Sequence, residues 1–167
     1  MSLEAAIQIL NRFSERFGVR FDDGKSVSYG FPQPGDLTDA SEEDIKEVGF
    51  SRQKARSIRE LVINSVNYSL NLAEMDKMTN AEITDYLSPI RGIGRWSTEY
   101  VLLRALGRLD IFPGDDIGAQ NNLQRLFHLD KKPDYEQIKR LTSRWQPYQG
   151  LVYFHLLLNK LQAKGVI

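Results

Sequence analysis

The stretch 87-LSPIRGIGRWSTEY-100 holds two glycines, Gly92 and Gly94, on either side of Ile93, with helix-like sequence before and after. Two helices joined by so few residues make a tight hairpin. Glycine serves such a turn in two ways: it takes positive φ cheaply, and it has no side chain to hold a neighbour away. The backbone N–H groups of the turn and of the next helix's first residues then face outward together. That is an anion site, strengthened by the helix dipole. Arg91 and Arg95 add flanking positive charge, and Ser97 adds a hydroxyl in the first turn. Ile93 points the other way, as an apolar plug between the helices. The plainer reading of the same residues is a tight helix connection and nothing more.

The rest of the chain bounds what such a hairpin can belong to. The 167 residues make one domain, or two small lobes sharing a cleft, with enough chain to bury a core. Apolar residues are 41% and charged residues 26%, as in an ordinary soluble globular protein. No run approaches the roughly 18 apolar residues of a membrane span, and no signal-peptide pattern opens the chain. The absence of cysteine excludes disulfides, a thiolate nucleophile, an iron–sulfur cluster and a cysteine zinc site. With His128 and His155 the only histidines, a histidine-built metal site is not expected either, and both are read as structural. An intracellular compartment fits this composition. Net charge is zero, with 22 basic and 22 acidic residues, which argues against a coat of positive charge gripping nucleic acid anywhere along its length. Local basic stretches remain: "SRQKARSIR" (51–59) and "RGIGRW" (91–96) contain no acid. The first is read as a solvated face, with phosphate contact as the sharper alternative.

Periodicity predicts an all-α fold, a helical bundle in a single domain over 1–167. The first helix opens at a Ser2 cap, carries Leu3, Ala6, Ile7, Leu10 and Phe13 inward, and stops at Gly18. "FDDGKSVSYGFPQPG" (21–35) reads as a long Gly/Pro-punctuated loop. A helix runs from Ser41 to Gly49. Another is capped by Ser51, with Ala55, Ile58, Leu61, Val62 and Val66 facing in. Thr79 and Glu82 form a capping box that opens a helix to about Ser88. After the hairpin turn a helix runs to Gly107, and further helices cover 116–126, 134–144 and 148–163.

A phosphate is the natural guest of the hairpin, and a DNA backbone supplies phosphates. At this point the sequence resembles a known family. "L-x-x-I-x-G-I-G-R-W-S-T-E-Y" is similar to the helix–hairpin–helix of the DNA glycosylase superfamily named for that hairpin and for its downstream Gly/Pro/Asp loop. "LGRLDIFPGDDIG" (106–118) supplies that loop. "RWQPYQGLVYFHLLL" (144–158) resembles the family's closing helix, and "VGFSRQKARSIRELV" (48–62) its Leu-Gly-x-x-x-x-Lys-Ala helix. The resemblance spans about Leu3 to Leu158 and is nearest to the alkyladenine (DNA-3-methyladenine glycosylase II) branch. It places the helix–hairpin–helix at about 80–107 and the catalytic loop at about 110–117, with a cleft between helical lobes.

The resemblance implies a monofunctional glycosylase that hydrolyses the N-glycosidic bond of alkylated purines in double-stranded DNA, as in base excision repair. Asp116, the last acid of "FPGDD", would be the catalytic carboxylate. It would stabilise the oxocarbenium-like sugar or activate water. Its plainer role is a helix N-cap, and Asp115 is the neighbour most easily mistaken for it. Trp96 and Tyr100, four apart on one helix face, would stack a flipped base; core packing is their plainer role. A cationic alkylated purine would gain about 0.5–2 kcal/mol from cation–π contact with such rings. Trp96 stands where bifunctional relatives carry the Schiff-base lysine, so no lyase activity is expected. The family's hairpin also holds a monovalent cation through backbone carbonyls, here those of Ser88, Arg91 and Ile93. No other cofactor is expected beyond this structural Na⁺ or K⁺.

Departures from the pattern keep a second reading open. Met1 stands where relatives are preceded by a further lobe and by the apolar wedge that holds the base out of the duplex. Tyr148, Gln149 and Leu157 replace residues usual in the closing helix. The alternative is a non-catalytic helix–hairpin–helix DNA-binding protein, or an incomplete glycosylase that needs a second chain to supply the missing lobe.

Overall fold

The computed structural model describes residues 3–68, 72–163 and 165. Its elements are α1 (Leu3–Phe17), β1 (Arg20–Asp22), β2 (Val27–Tyr29), α2 (Glu42–Glu47), α3 (Arg52–Tyr68), α4 (Leu72–Met75), α5 (Asn80–Leu87), α6 (Arg95–Tyr100), α7 (Ile117–Leu126), α8 (Tyr135–Thr142) and α9 (Gln149–Ala163). The chain divides into two compact units. The first is Met1–Asn71 with Ile90–Gly92; the second is Leu72–Pro89 with Ile93–Ile167.

In the first unit, α1, α2 and α3 enclose a core of Phe13, Leu37, Ala40, Ile45, Val48, Ala55 and Val62. Phe13 sits at its centre, edge-on to Phe17 and Phe50 with ring centroids 5.3 Å away in both cases, the arrangement that aromatic quadrupoles favour. The Arg59 guanidinium donates to the carbonyls of Leu37 and Thr38 and ties α3 to the preceding 3-10 turn at Pro34–Leu37. Ser41 caps α2 with a reciprocal bond to Asp44, as its position predicts.

Two expectations fail here. The segment 21–35 is not all loop: Arg20–Asp22 pairs antiparallel with Val27–Tyr29. The turn between them is held by the Asp23 carboxylate, which accepts from the amides of Lys25 and Ser26. Both strands are three residues long and exposed throughout, so they carry no buried alternation to read. The inward stripes of α1 and α3 are also shorter than periodicity suggested, since Ile7, Leu10 and Val66 are exposed. The Ser2 cap lies outside the described residues.

The second unit is built on Leu103, Phe112, Ala119, Leu123, Ile138 and Tyr153, with Tyr100, Phe127, Trp145 and Leu157 packed around them. The Thr79–Glu82 capping box opens α5 as predicted, and Ile83 and Leu87 bury its inner face. α6 passes into one π-helical turn over Val101–Ala105, closed by the Leu106 amide bonding to the Val101 carbonyl. Such turns recur at functional sites. The Asn122 side-chain amide donates to the Leu156 carbonyl and joins α7 to α9. α9 is central only through its inner face: Tyr153 is fully buried, while Leu151 and Leu158 face solvent, as does Tyr148 just before the helix. No helix among the described residues is long and apolar enough to cross a membrane.

Candidate functional site

The hairpin turn joins α5 to α6 through residues 88–94. Gly92 requires its glycine twice: its φ is +87°, and a Cβ there would overlap the Ser57 hydroxyl. Gly94 differs from expectation. It is the N-cap of α6 with extended backbone, φ −97° and ψ −177°, and a Cβ would meet nothing within 4 Å. The turn does not need Gly94 for its own geometry; what Gly94 leaves is open space over the start of α6. It also provides no side-chain cap, so the amides of α6's first turn carry no side-chain partner. Ser97 is half-buried in that turn, and Ile93 is half-buried too. Arg91 is exposed in the first unit. There Arg52, Gln53, Arg56, Ser57, Arg91 and Gly92 line a depression of about 350 Å³. The basic stretch 51–59 therefore divides: Arg59 is structural, while Arg52 and Arg56 reach an open basic concavity.

Arg95 requires a correction. Rather than adding free charge at the turn, it makes a bidentate pair with Asp115, Nε to Oδ2 at 2.7 Å and Nη2 to Oδ1 at 2.9 Å. Its guanidinium also lies 3.7 Å above the Tyr135 ring. The neighbouring carboxylate holds its protonated form even more firmly than usual. A fork-to-fork pair fixes both partners in orientation, so Asp115 is engaged and Asp116 is the less committed acid.

Asp116 caps α7. Its Oδ1 accepts from the Ala119 amide at 2.7 Å, and its own amide bonds back to the Pro113 carbonyl at 3.1 Å. No hydrogen bond among the described residues ends on Oδ2. The cap and the catalytic readings are thus compatible: the capping bond orients the carboxylate and leaves one oxygen free. Beside it, Ile117 is 66% exposed, an apolar group that periodicity does not single out. Trp96 and Tyr100 stack with centroids 4.4 Å apart and ring planes 32° apart. Tyr100 belongs to the core edge, whereas Trp96 is 41% exposed. The Tyr100 and Tyr153 hydroxyls are 2.8 Å apart. The Tyr153 phenol is pushed well up, first by burial, then by the bond to Tyr100 and by the nearby charge of Asp116. Tyr153, a residue that the closing-helix motif does not mark, thereby anchors the aromatic pair to the core of the second unit.

Two further residues escape a reading of the sequence, Glu99 and Tyr135. Glu99, buried on α6, accepts from the Gly114 amide at 3.1 Å and from the Tyr135 hydroxyl at 2.6 Å. Gly114 leaves no room for a side chain, since a Cβ would come 2.7 Å from the Tyr135 ring. Nothing local in the sequence points from Glu99 to residues 15 and 36 positions away.

No group of three or more acidic or histidine side chains among the described residues is placed to hold a metal ion. The carbonyls of Ser88, Arg91 and Ile93 receive none of the loop backbone hydrogen bonds among the described residues, so each keeps acceptor capacity.

Residues 1–147 match the family described as HhH-GPD superfamily base excision DNA repair protein. The chain is 34% identical over 137 residues, 81% of its length, to the alkylbase DNA glycosidase-like protein mag2 of Schizosaccharomyces pombe, and spans 64% of that relative. Among solved structures it resembles the 3-methyladenine DNA-glycosylase of Archaeoglobus fulgidus, with TM-score 0.82 and 30% identity over 95% of this chain and 53% of that one. It also resembles the S. pombe 3-methyladenine DNA glycosylase Mag1 in complex with abasic DNA, with TM-score 0.80 and 27% identity over 93% of this chain and 72% of that one. The chain therefore spans little more than half of several relatives, and over that span it belongs to the HhH-GPD superfamily of base excision DNA repair proteins.

Proposed function

We propose that the protein is a monofunctional DNA glycosylase that hydrolyses the N-glycosidic bond of alkylated purines in double-stranded DNA. The observation that carries this reading is Asp116: one carboxylate oxygen is pinned by a helix cap and the other is free. In the same unit is Trp96, whose exposed ring is stacked on Tyr100. A pure DNA binder needs the hairpin but no such carboxylate. The named relatives, an alkylbase glycosidase-like protein and two 3-methyladenine glycosylases, support the substrate class.

In this mechanism the flipped base stacks on Trp96, with Ile117 adding apolar contact. Positive charge on an alkylated purine makes it a good leaving group, so no leaving-group acid is needed. Asp116 stabilises the developing positive charge on the sugar or orients the attacking water. Backbone phosphates are taken in the second unit by the open start of α6, and in the first unit by Arg52, Arg56 and Arg91. A structural monovalent cation on the carbonyls of Ser88, Arg91 and Ile93 is part of the same proposal, and its support is the resemblance together with their free acceptor capacity. Release of 3-methyladenine and 7-methylguanine from methylated duplex DNA, lost in Asp116→Asn, tests the central reading. With Trp96 in place of an amine nucleophile, borohydride should trap no covalent adduct with abasic DNA; a trapped adduct would remove the monofunctional assignment.

A second reading is favoured by one observation. The first unit exposes Val19, Phe21, Val27, Tyr29 and Phe31 along its two-stranded sheet and the segment that follows. An apolar surface of that kind suits cover by further polypeptide, in line with an incomplete glycosylase completed by a second chain. Absence of base release with intact, salt-sensitive DNA binding would favour it.

A further inference from the structure

The buried acid Glu99 is not used by the mechanism above, and its surroundings assign it a task. Both of its oxygens are directed at the machinery of the catalytic loop. Oε2 accepts the Gly114 amide and Oε1 the Tyr135 hydroxyl. The Gly114 carbonyl is held from the other side by the Gln120 side chain of α7 at 3.0 Å. Asp115, the next residue, is gripped by Arg95, and Arg95 rests on the same Tyr135 ring. Asp116 follows directly. The segment Pro113–Asp116 is thus clamped at successive residues by a connected set of groups, Glu99–Tyr135–Arg95–Asp115, in which Glu99 holds the backbone itself.

We propose that Glu99 is a positioning residue whose ionised carboxylate locks the Pro113–Asp116 loop and thereby aims Asp116 at the sugar. The proposal rests on the glycosylase reading of Asp116 for its catalytic consequence, and on geometry alone for the lock. The charged form suits this pattern: a carboxylate accepts from both donors at once, whereas a protonated carboxyl keeps the Gly114 bond only by donating to the Tyr135 hydroxyl oxygen, which reverses that bond and leaves the Tyr135 proton without its acceptor. Burial pushes the Glu99 carboxyl up, aided by the nearby Asp115 charge. The bonds from Tyr135 and Gly114 and the Arg95 charge oppose this without cancelling it. Asp110 and Lys139 are further titratable groups, lining with Glu99 and Tyr135 a cavity of about 250 Å³. As pH falls, Glu99 therefore takes up its proton before an ordinary carboxylate would, and the lock opens.

The test is the pH profile of single-turnover base release from methylated duplex DNA by wild type, Glu99→Gln and Tyr135→Phe. It is paired with the ¹H–¹⁵N resonance of Gly114 followed through pH in the DNA-free wild type and in Glu99→Gln. Glu99→Gln keeps the shape but cannot accept from both donors. Its plateau rate should fall about 10- to 100-fold, the scale of a small misplacement of a catalytic group. Its acid limb should also move to lower pH. Tyr135→Phe removes a donor that favours the carboxylate, so its limb should move to higher pH. The Gly114 signal should titrate above the ordinary carboxylate range in wild type and stay still in Glu99→Gln. A lowered plateau with unmoved limbs would reduce Glu99 to a packing residue and overturn the proposal, as would unchanged rates. If wild type itself releases no base, the glycosylase reading fails separately. The lock is then judged on Gly114 alone, and a resonance indifferent to Glu99 overturns it.

Discussion

Replacing Asp116 by asparagine separates two roles that one side chain performs. As a cap, Asp116 contributes one bond, Oδ1 to the Ala119 amide at 2.7 Å. Asparagine caps about as well as aspartate, whereas alanine loses about 1 kcal/mol at such a position. Asp116→Asn should therefore melt close to wild type, and Asp116→Ala should melt about 2–4 °C lower, as expected for ~1 kcal/mol in a chain of this size. The catalytic role needs the negative charge on the free oxygen, and both variants abolish it. Loss of a single electrostatic stabiliser of the transition state typically costs about 10²–10³ in rate, or ~2.7–4 kcal/mol. Single-turnover release of methylated purines should fall by that factor in both variants, while affinity for duplex DNA carrying a non-cleavable abasic analogue stays near wild type. The pattern is diagnostic: rate follows charge, and stability follows capping. If Asp116→Asn released base within about threefold of wild type, charge stabilisation of the kind assigned to Asp116 would be absent. If Asp116→Asn lost as much stability as Asp116→Ala, the capping argument would fail instead.

Other outcomes follow from the same geometry. Trp96→Ala should cost about 0.5–1.5 kcal/mol from the lost stacking on Tyr100, in addition to the loss of its buried area. It should reduce release of cationic 7-methylguanine about 2- to 30-fold, the range that corresponds to 0.5–2 kcal/mol of cation–π attraction. A neutral purine lesion such as hypoxanthine should be affected less, and competition kinetics between the two substrates would show it. Replacing Arg52 and Arg56 together by alanine should weaken duplex binding whatever its sequence. The slope of log K against log salt should become shallower by about one for each phosphate that is no longer neutralised. An unchanged slope would return those side chains to the role of solvated charge.

What could be read from the linear chain was the part encoded within a turn of helix. The Thr79–Glu82 box, the helix start at Ser41, the positive-φ glycine at 92 and the Asp116 cap all depend on residues at most four apart, and all of them appear in the structure. The motif order across 48–158 carried the family, and the comparisons agree with it. Short exposed strands escaped notice because the Arg20–Asp22 and Val27–Tyr29 pairing buries neither face and leaves no hydrophobic period. Amphipathic spacing on α1 and α3 overstated burial, since periodicity marks which face is apolar and not whether a neighbour covers it.

The tertiary structure alone decided how the loop bearing Asp116 is held. Arg95 and Asp115 are 20 residues apart, Glu99 and Tyr135 36, and Tyr100 and Tyr153 53. In the sequence Arg95 looked like a phosphate ligand, and Glu99 stood out in no motif. Folding brought each a stronger, partly desolvated partner from elsewhere in the chain, and a buried carboxylate takes the donors that compensate its lost hydration rather than those nearest in sequence. The hairpin, the acid and the aromatic pair were local and legible; the scaffold that aims the acid is built from long-range hydrogen bonds, which leave no period or motif behind.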